Sequence, residues 1–186
     1  MPASPHLPPL PADSQVRIGH VHLKVSDLER SLAFYRDVLG LTVTQRYGDQ
    51  AVFLSAGGYH HHLGLNTWES AGGSPPPPGT TGLYHVAFLY PTRAELADAL
   101  QRILHTGLRP EGAADHGVSE AIYLRDPDGN GVELYRDRPK DQWPRTPAGE
   151  LAMDTRPLNL NALLREAPST TKPTSDSSET PTATPL

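Results

Sequence analysis

The chain repeats itself, and the repeat limits its fold more than any other feature. His20-Val21-x-Leu23-x-Val25 returns as His85-Val86-x-Phe88-x-Tyr90, and Gly40-Leu41 returns as Gly107-Leu108. Gln50-Ala51-Val52-Phe53-Leu54 returns as Glu120-Ala121-Ile122-Tyr123-Leu124, and Leu63-Gly64-Leu65 as Val132-Glu133-Leu134. In the first copy Val21, Leu23 and Val25 alternate with His20, His22 and Lys24, the period of a strand. Ser26-Asp27 starts a helix whose apolar positions are Leu28, Leu32, Tyr35 and Leu39, and Gly40 ends it. Strands are expected over Leu41–Tyr47, Ala51–Ser55 and Tyr59–Trp68. The second copy predicts strands over Tyr84–Tyr90, Leu108–Pro110, Glu120–Arg125 and Gly131–Arg136, with a helix after Pro91-Thr92 carrying Leu96, Leu100, Ile103 and Leu104. One copy is too small to bury a core alone, so the two must share one.

The expected fold is therefore α+β, two βαβββ modules forming a curved mixed sheet around a cleft. The modules span 15–68 and 82–138, and the linker 69–81 carries four consecutive prolines that continue neither sheet nor helix. Residues 1–14 read as a Pro-rich arm without regular structure and 166–186 as a disordered Ser/Thr/Pro tail. Between 139 and 165, Leu158, Leu160, Leu163 and Leu164 form an apolar patch expected to pack back on the domain.

Composition narrows the chemistry. There is no cysteine, which excludes disulfides, thiolate metal sites and thiol catalysis. With 16 basic and 21 acidic residues the net charge is −5, so there is no basic footprint for nucleic acid or anionic membrane. No apolar run approaches the ~20 residues of a membrane helix. Met1–Pro11 lacks the basic and apolar regions of a secretory signal, so a cytoplasmic location is the expectation.

Any metal must be held by His, Asp or Glu. His20 and His85 hold the same place in the two copies, and Glu133 stands on an otherwise apolar strand between Val132 and Leu134. Two imidazoles and a carboxylate suit Fe(II), Mn(II) or Zn(II) and leave coordination positions open. Alternation along the His60-His61-His62 run predicts that His60 and His62 share a face with Gly64, which makes His62 a pocket residue.

The motifs His20-Val-His-Leu-Lys-Val-Ser-Asp-Leu-Glu-Arg-Ser-Leu-Ala-Phe-Tyr35, Val38-Leu-Gly-Leu41, Tyr84-His85-Val-Ala-Phe88 and Asp126-Pro-Asp-Gly-Asn-Gly-Val-Glu133-Leu-Tyr resemble the vicinal oxygen chelate superfamily over residues 16–138. Tyr59–Trp68, Arg138–Arg145 and Thr155–Leu160 resemble its small catechol-2,3-dioxygenase-like members. The resemblance implies a metal cleft holding Fe(II), with Mn(II), Zn(II) or Ni(II) as alternatives, on His20, His85 and Glu133. In glyoxalase-type members a fourth ligand, a second carboxylate, stands where this chain has Gly64. Its absence favours an extradiol dioxygenase acting on a small aromatic diol and dioxygen over a lyase or isomerase, and the presence of all three ligands disfavours the other alternative, a non-catalytic binder of antibiotic or aromatic ligands. Tyr123 matches the tyrosine that such dioxygenases carry before the ligand Glu, and His116 loosely resembles their substrate-side histidine. Asn66 and Trp68 are expected to line the first-copy end of the cavity, with Gly64 leaving that face of the metal open. A homodimer, with modules paired within one chain or exchanged between two, is compatible with the linker.

Overall fold

In the computed structural model, residue 13 and residues 15–168 are described; the expected arm falls almost wholly outside them, and so does most of the tail. The first module begins with β1 (Val21–Lys24), followed by α1 (Leu28–Leu32), which runs on as wider π-type turns through Ala33–Val38. Asp27 caps it, its carboxylate accepting from the Arg30 N–H at 2.9 Å. Strands β2 (Thr42–Tyr47), β3 (Ala51–Ser55) and β4 (Leu63–Asn66) complete the module. The second module consists of β5 (Val86–Leu89), α2 (Arg93–His105), β6 (Gly112–Asp115), β7 (Ser119–Arg125) and β8 (Gly131–Asp137). A short strand β9 (Arg156–Pro157) and the helix α3 (Leu160–Leu164) follow.

Each module builds its own mixed sheet. The first has the order β1-β4-β3-β2 and the second β5-β8-β7-β6-β9. Equivalent pairings confirm the repeat: Val21 lies opposite Leu63 and His22 opposite Gly64, as Val86 lies opposite Val132 and Ala87 opposite Glu133. The α+β class and both βαβββ modules are as expected, with the curved surface made of two sheets rather than one.

Two strand expectations need correction. The stretch before Leu63 is no strand: Tyr59 to His62 form a bend in which the Tyr59 ring stacks on His60 and His62. The expected strand at Leu108–Pro110 starts later, at Gly112. Pro110 has no N–H to donate, and pairing to β7 takes hold only once the Glu111 N–H reaches the Tyr123 carbonyl at 2.8 Å.

One apolar cluster runs through both modules. Leu23, Val25, Leu32, Leu54, Leu63 and Leu65 come from the first, and Leu96, Leu100, Ile103, Ile122 and Leu134 from the second. Leu163 of α3 joins it and is fully buried. Polar contacts fasten the modules where the Asp126-Pro-Asp-Gly129 turn meets α1. Tyr35 Oη donates to Asp126 at 2.9 Å, and the Ser26 hydroxyl and N–H donate to Asp128 at 2.6 and 3.1 Å. Arg30 also pairs with Asp128. The other bonds of Asp126, from the Asp128 and Asn130 N–H groups and the Asn130 amide, close its own turn at 2.8–2.9 Å. Burial and the Asp126 carboxylate push the Tyr35 phenol far above its ordinary range, so it is permanently a donor. Much of the aspartate signature is thus a structural clasp. Among the described residues no helix is long and apolar enough to cross a membrane.

Candidate active site

The open face of the second sheet gathers the chemistry. Glu133 sits in the middle of β8, opposite Ala87 on β5 and opposite Tyr123 on β7. His85 immediately precedes β5, and its Nε2 lies 2.8 Å from Glu133 Oε2. Their side chains are 32% and 13% exposed, enough to meet a small molecule and too little to be freely solvated. The backbone sets this approach. A Cβ on Gly131, at the start of β8, would stand 2.0 Å from the Tyr84 carbonyl oxygen and 3.0 Å from His85 Cα, so only glycine lets β8 run this close to His85.

Tyr123 reaches the same face. Burial first, and the Glu133 carboxylate second, push its phenol up to about 12, so it holds its proton at neutral pH. His116, just beyond β6, places Nε2 2.8 Å from Tyr123 Oη. Its Nδ1 lies 3.0 Å from the Asp154 carbonyl.

The first sheet presents a histidine face instead. The His20 and His61 rings lie 4.5 Å apart, and His22 packs against Phe53 and Trp68 at 5.8 and 5.5 Å. Burial, and then the neighbouring His20, lower the His22 pKa. The space at Gly64 is not open as expected. A Cβ there would meet the His22 ring at 2.9 Å, so the imidazole occupies the place a longer side chain would take. His62 stands just before β4, which begins at Leu63, and its backbone still pairs with both neighbouring strands, the N–H donating to the Leu54 carbonyl at 2.9 Å and the carbonyl accepting from the Val21 N–H at 3.0 Å. Its Nδ1 turns to the Ser55 hydroxyl at 3.0 Å, while His61 takes the place beside His20. Asn66 is buried and accepts from the Trp68 N–H at 3.3 Å, a strand-end bond, and Trp68 is half exposed.

A cleft of about 960 Å³ runs between the two modules, with His20, His62 and His85 on its walls beside Leu41, Phe88 and Tyr90. Glu133 and Tyr123 are not among its lining residues. Among the described residues no three His, Asp or Glu side chains come within reach of one metal ion, so the structure unites His85 with Glu133 and leaves His20 apart. The pair itself fits a cation. Donors about 2.0–2.2 Å from an ion and at right angles lie roughly 3 Å apart. The separation here is 2.8 Å, and the buried His85 Nδ1 has no hydrogen-bond partner. Gly131 is a site residue that the motifs did not single out; its signal is a second glycine closely following Gly129.

Four similarities to known proteins bear on this site. A Bacillus subtilis (strain 168) catechol-2,3-dioxygenase is 45% identical over 150 residues, covering 81% of this chain and 52% of that protein. A Rhodococcus globerulus biphenyl-2,3-diol 1,2-dioxygenase is 37% identical over 122 residues, covering 65% of this chain and 63% of that one. The chain thus spans about half to under two thirds of these relatives. The crystal structure of lactoylglutathione lyase from Agrobacterium tumefaciens superposes with a TM-score of 0.52 at 29% identity, over 67% of this chain and 96% of that one. The profile of the glyoxalase/bleomycin resistance protein/dioxygenase superfamily matches residues 17–134, and with the paired modules in place the chain belongs to that superfamily.

Proposed function

We propose that the chain is an extradiol-type ring-cleaving dioxygenase acting on a catecholic substrate with Fe(II). The reading rests above all on one arrangement: the His85–Glu133 pair at 2.8 Å with the Tyr123–His116 pair beside it on the same sheet. Similarity to two proteins named as dioxygenases of aromatic diols supports it. His85 and Glu133 would hold the ion, with His20 as the third ligand. When bound, Fe(II) would supply the Lewis acidity that lowers the proton affinity of the two adjacent ring oxygens and the redox capacity that a reaction with dioxygen requires.

The chain's own groups then have defined tasks. Glu133 brings the only negative charge of the set. Tyr123, protonated well past neutrality, donates a hydrogen bond at Oη to a ring oxygen or to His116. His116 Nε2, the partner of that hydroxyl, is assigned to take a proton from the substrate hydroxyl and later to return it, acting as base and acid in turn. His62 is assigned to shaping the first-module side of the cleft, whereas Asn66 and Trp68, expected there as well, are not among its lining residues. The position equivalent to Glu133 is Gly64, and the His22 ring fills the space above it. The second carboxylate of a glyoxalase-type lyase is thus missing from this position, which favours ring cleavage.

Reconstitution without oxygen decides the matter. Purified protein loaded with Fe(II) under nitrogen and then given catechol and air should consume oxygen and form the yellow ring-opened semialdehyde. A fully iron-loaded protein that leaves catechol untouched, while Zn(II)- or Ni(II)-loaded protein isomerises a hemithioacetal, would overturn the assignment.

A further inference from the structure

His116 is held from two sides. Its Nε2 faces Tyr123 Oη at 2.8 Å, and its Nδ1 faces the Asp154 backbone carbonyl at 3.0 Å and the Thr155 hydroxyl at 3.2 Å. Asp154 and Thr155 lie outside both modules, in the chain that returns after Trp143. This return is anchored. The Asp154 N–H donates back to the His116 carbonyl at 3.2 Å, and β9 runs antiparallel to β6 with Arg156 opposite Asp115 and Pro157 opposite Ala114. Arg156 holds the Asp154 carboxylate at 2.8 Å. The segment therefore grips both the backbone and the ring of His116.

A carbonyl oxygen only accepts. For the 3.0 Å contact to be a hydrogen bond, Nδ1 must carry the proton. Nε2 of the neutral ring is then left as the acceptor, and its partner Tyr123 must donate. Tyr123 has one proton and two acceptors in view, His116 Nε2 and the Glu133 carboxylate opposite it on β8. With Nε2 available as an acceptor, the Tyr123 hydroxyl has a partner at 2.8 Å other than the carboxylate.

We propose that Asp154–Pro157 is a positioning element which fixes His116 in the Nδ1–H tautomer, so that Nε2 accepts the Tyr123 proton. The proposal rests on the reading of Tyr123 and His116 as the proton-handling pair. Asp154 and Thr155 act through His116 and are assigned no contact with substrate.

The tautomer is read directly by 15N NMR of the metal-free full chain. The expected spectrum shows His116 with a protonated, pyrrole-type Nδ1 and a pyridine-type Nε2. The reverse pattern, or an even mixture, would overturn the proposal. Thr155→Val should keep the wild-type pattern, because the carbonyl remains; a switch there would transfer the role to the hydroxyl and refute the carbonyl assignment. Releasing β9 with Arg156→Gly and Pro157→Gly together should give mixed tautomers, and after iron loading kcat should fall about 10-fold with KM little changed, as for loss of an outer-shell partner. An unaltered tautomer in that variant refutes the proposal. Should the double variant not fold, the wild-type and Thr155→Val spectra still decide. Because the tautomer is read without metal or substrate, its failure and a failure of the ring-cleavage reading are seen separately.

Discussion

Gly131 shows how a residue with no functional group can set a site. Its missing side chain lets β8 pass against His85, so Gly131→Ala should displace the histidine, cost about 2–3 kcal/mol in urea unfolding and lower metal content. Glu133→Ala should lose most bound iron, since it removes the only anionic donor, whereas His62→Ala should keep it, because His62 is turned toward Ser55. Metal analysis of the two purified variants checks both; equal loss would make His62 a ligand and move the assignment toward a lyase. Tyr123 carries a pH signature. Its folded pKa, about 12, lies above the ordinary phenol value of 10.0, so the folded state retains the proton longer than the unfolded chain. The resulting stability is fully present below pH 10 and is lost as pH rises through about 12. Melting of metal-free wild type against Tyr123→Phe between pH 9 and 11.5 should show a steeper alkaline decline in the wild type (a range of about 2 pH units set by the same linkage). His85 and Glu133 were legible in the chain as candidates, His85 because the repeat matches it to His20 and Glu133 because it stands between Val132 and Leu134 where the first copy has Gly64. His61 was not, because a bend just before β4 breaks the alternation on which its face would be judged.

At the scale of elements, the turn between β7 and β8 and the helix α1 act as one fastening. Asp126 accepts from Tyr35 and from three groups of its own turn, and Asp128 accepts from Ser26 and pairs with Arg30. Asp126→Ala would strand several buried donors and should cost about 3 kcal/mol, while Tyr35→Phe, which leaves Asp126 its other donors, should cost about 1 kcal/mol. Urea unfolding of both variants measures the difference, and equal small effects would show that the clasp contributes little. The turn itself could be read from Asp-Pro-Asp-Gly, since those residues set the backbone locally. Its partner could not, because the bond from Tyr35 to Asp126 joins residues far apart in the chain. The same limit misplaced β6, whose start is decided by pairing with β7 rather than by its own composition.

For the whole molecule, the decisive feature is that each module has its own sheet and the proposed ligands are divided between them. His20 lies on the cleft wall with His85, yet no three ligands converge among the described residues of one chain. A second copy supplying His20 to the His85–Glu133 pair would complete the set. Accordingly, His20→Ala and His85→Ala, each inactive alone, should recover activity when unfolded and refolded together. A two-fold dimer with random pairing restores one intact site in half of the molecules, about a quarter of the wild-type value. No recovery would mean that one chain closes its own cleft. The amino-acid sequence alone determined the repeat, the helices and most strands, the equivalence of His20 and His85, and the exceptional Glu133, because these depend on periodicity and local backbone preference. Only the tertiary structure decided which candidates meet. The 2.8 Å approach of His85 to Glu133, the His22 ring over Gly64, the grip of Asp154 on His116 and the separation of His20 all depend on how strands pair and modules pack. Those contacts join residues distant in the chain, and no local pattern encodes their geometry.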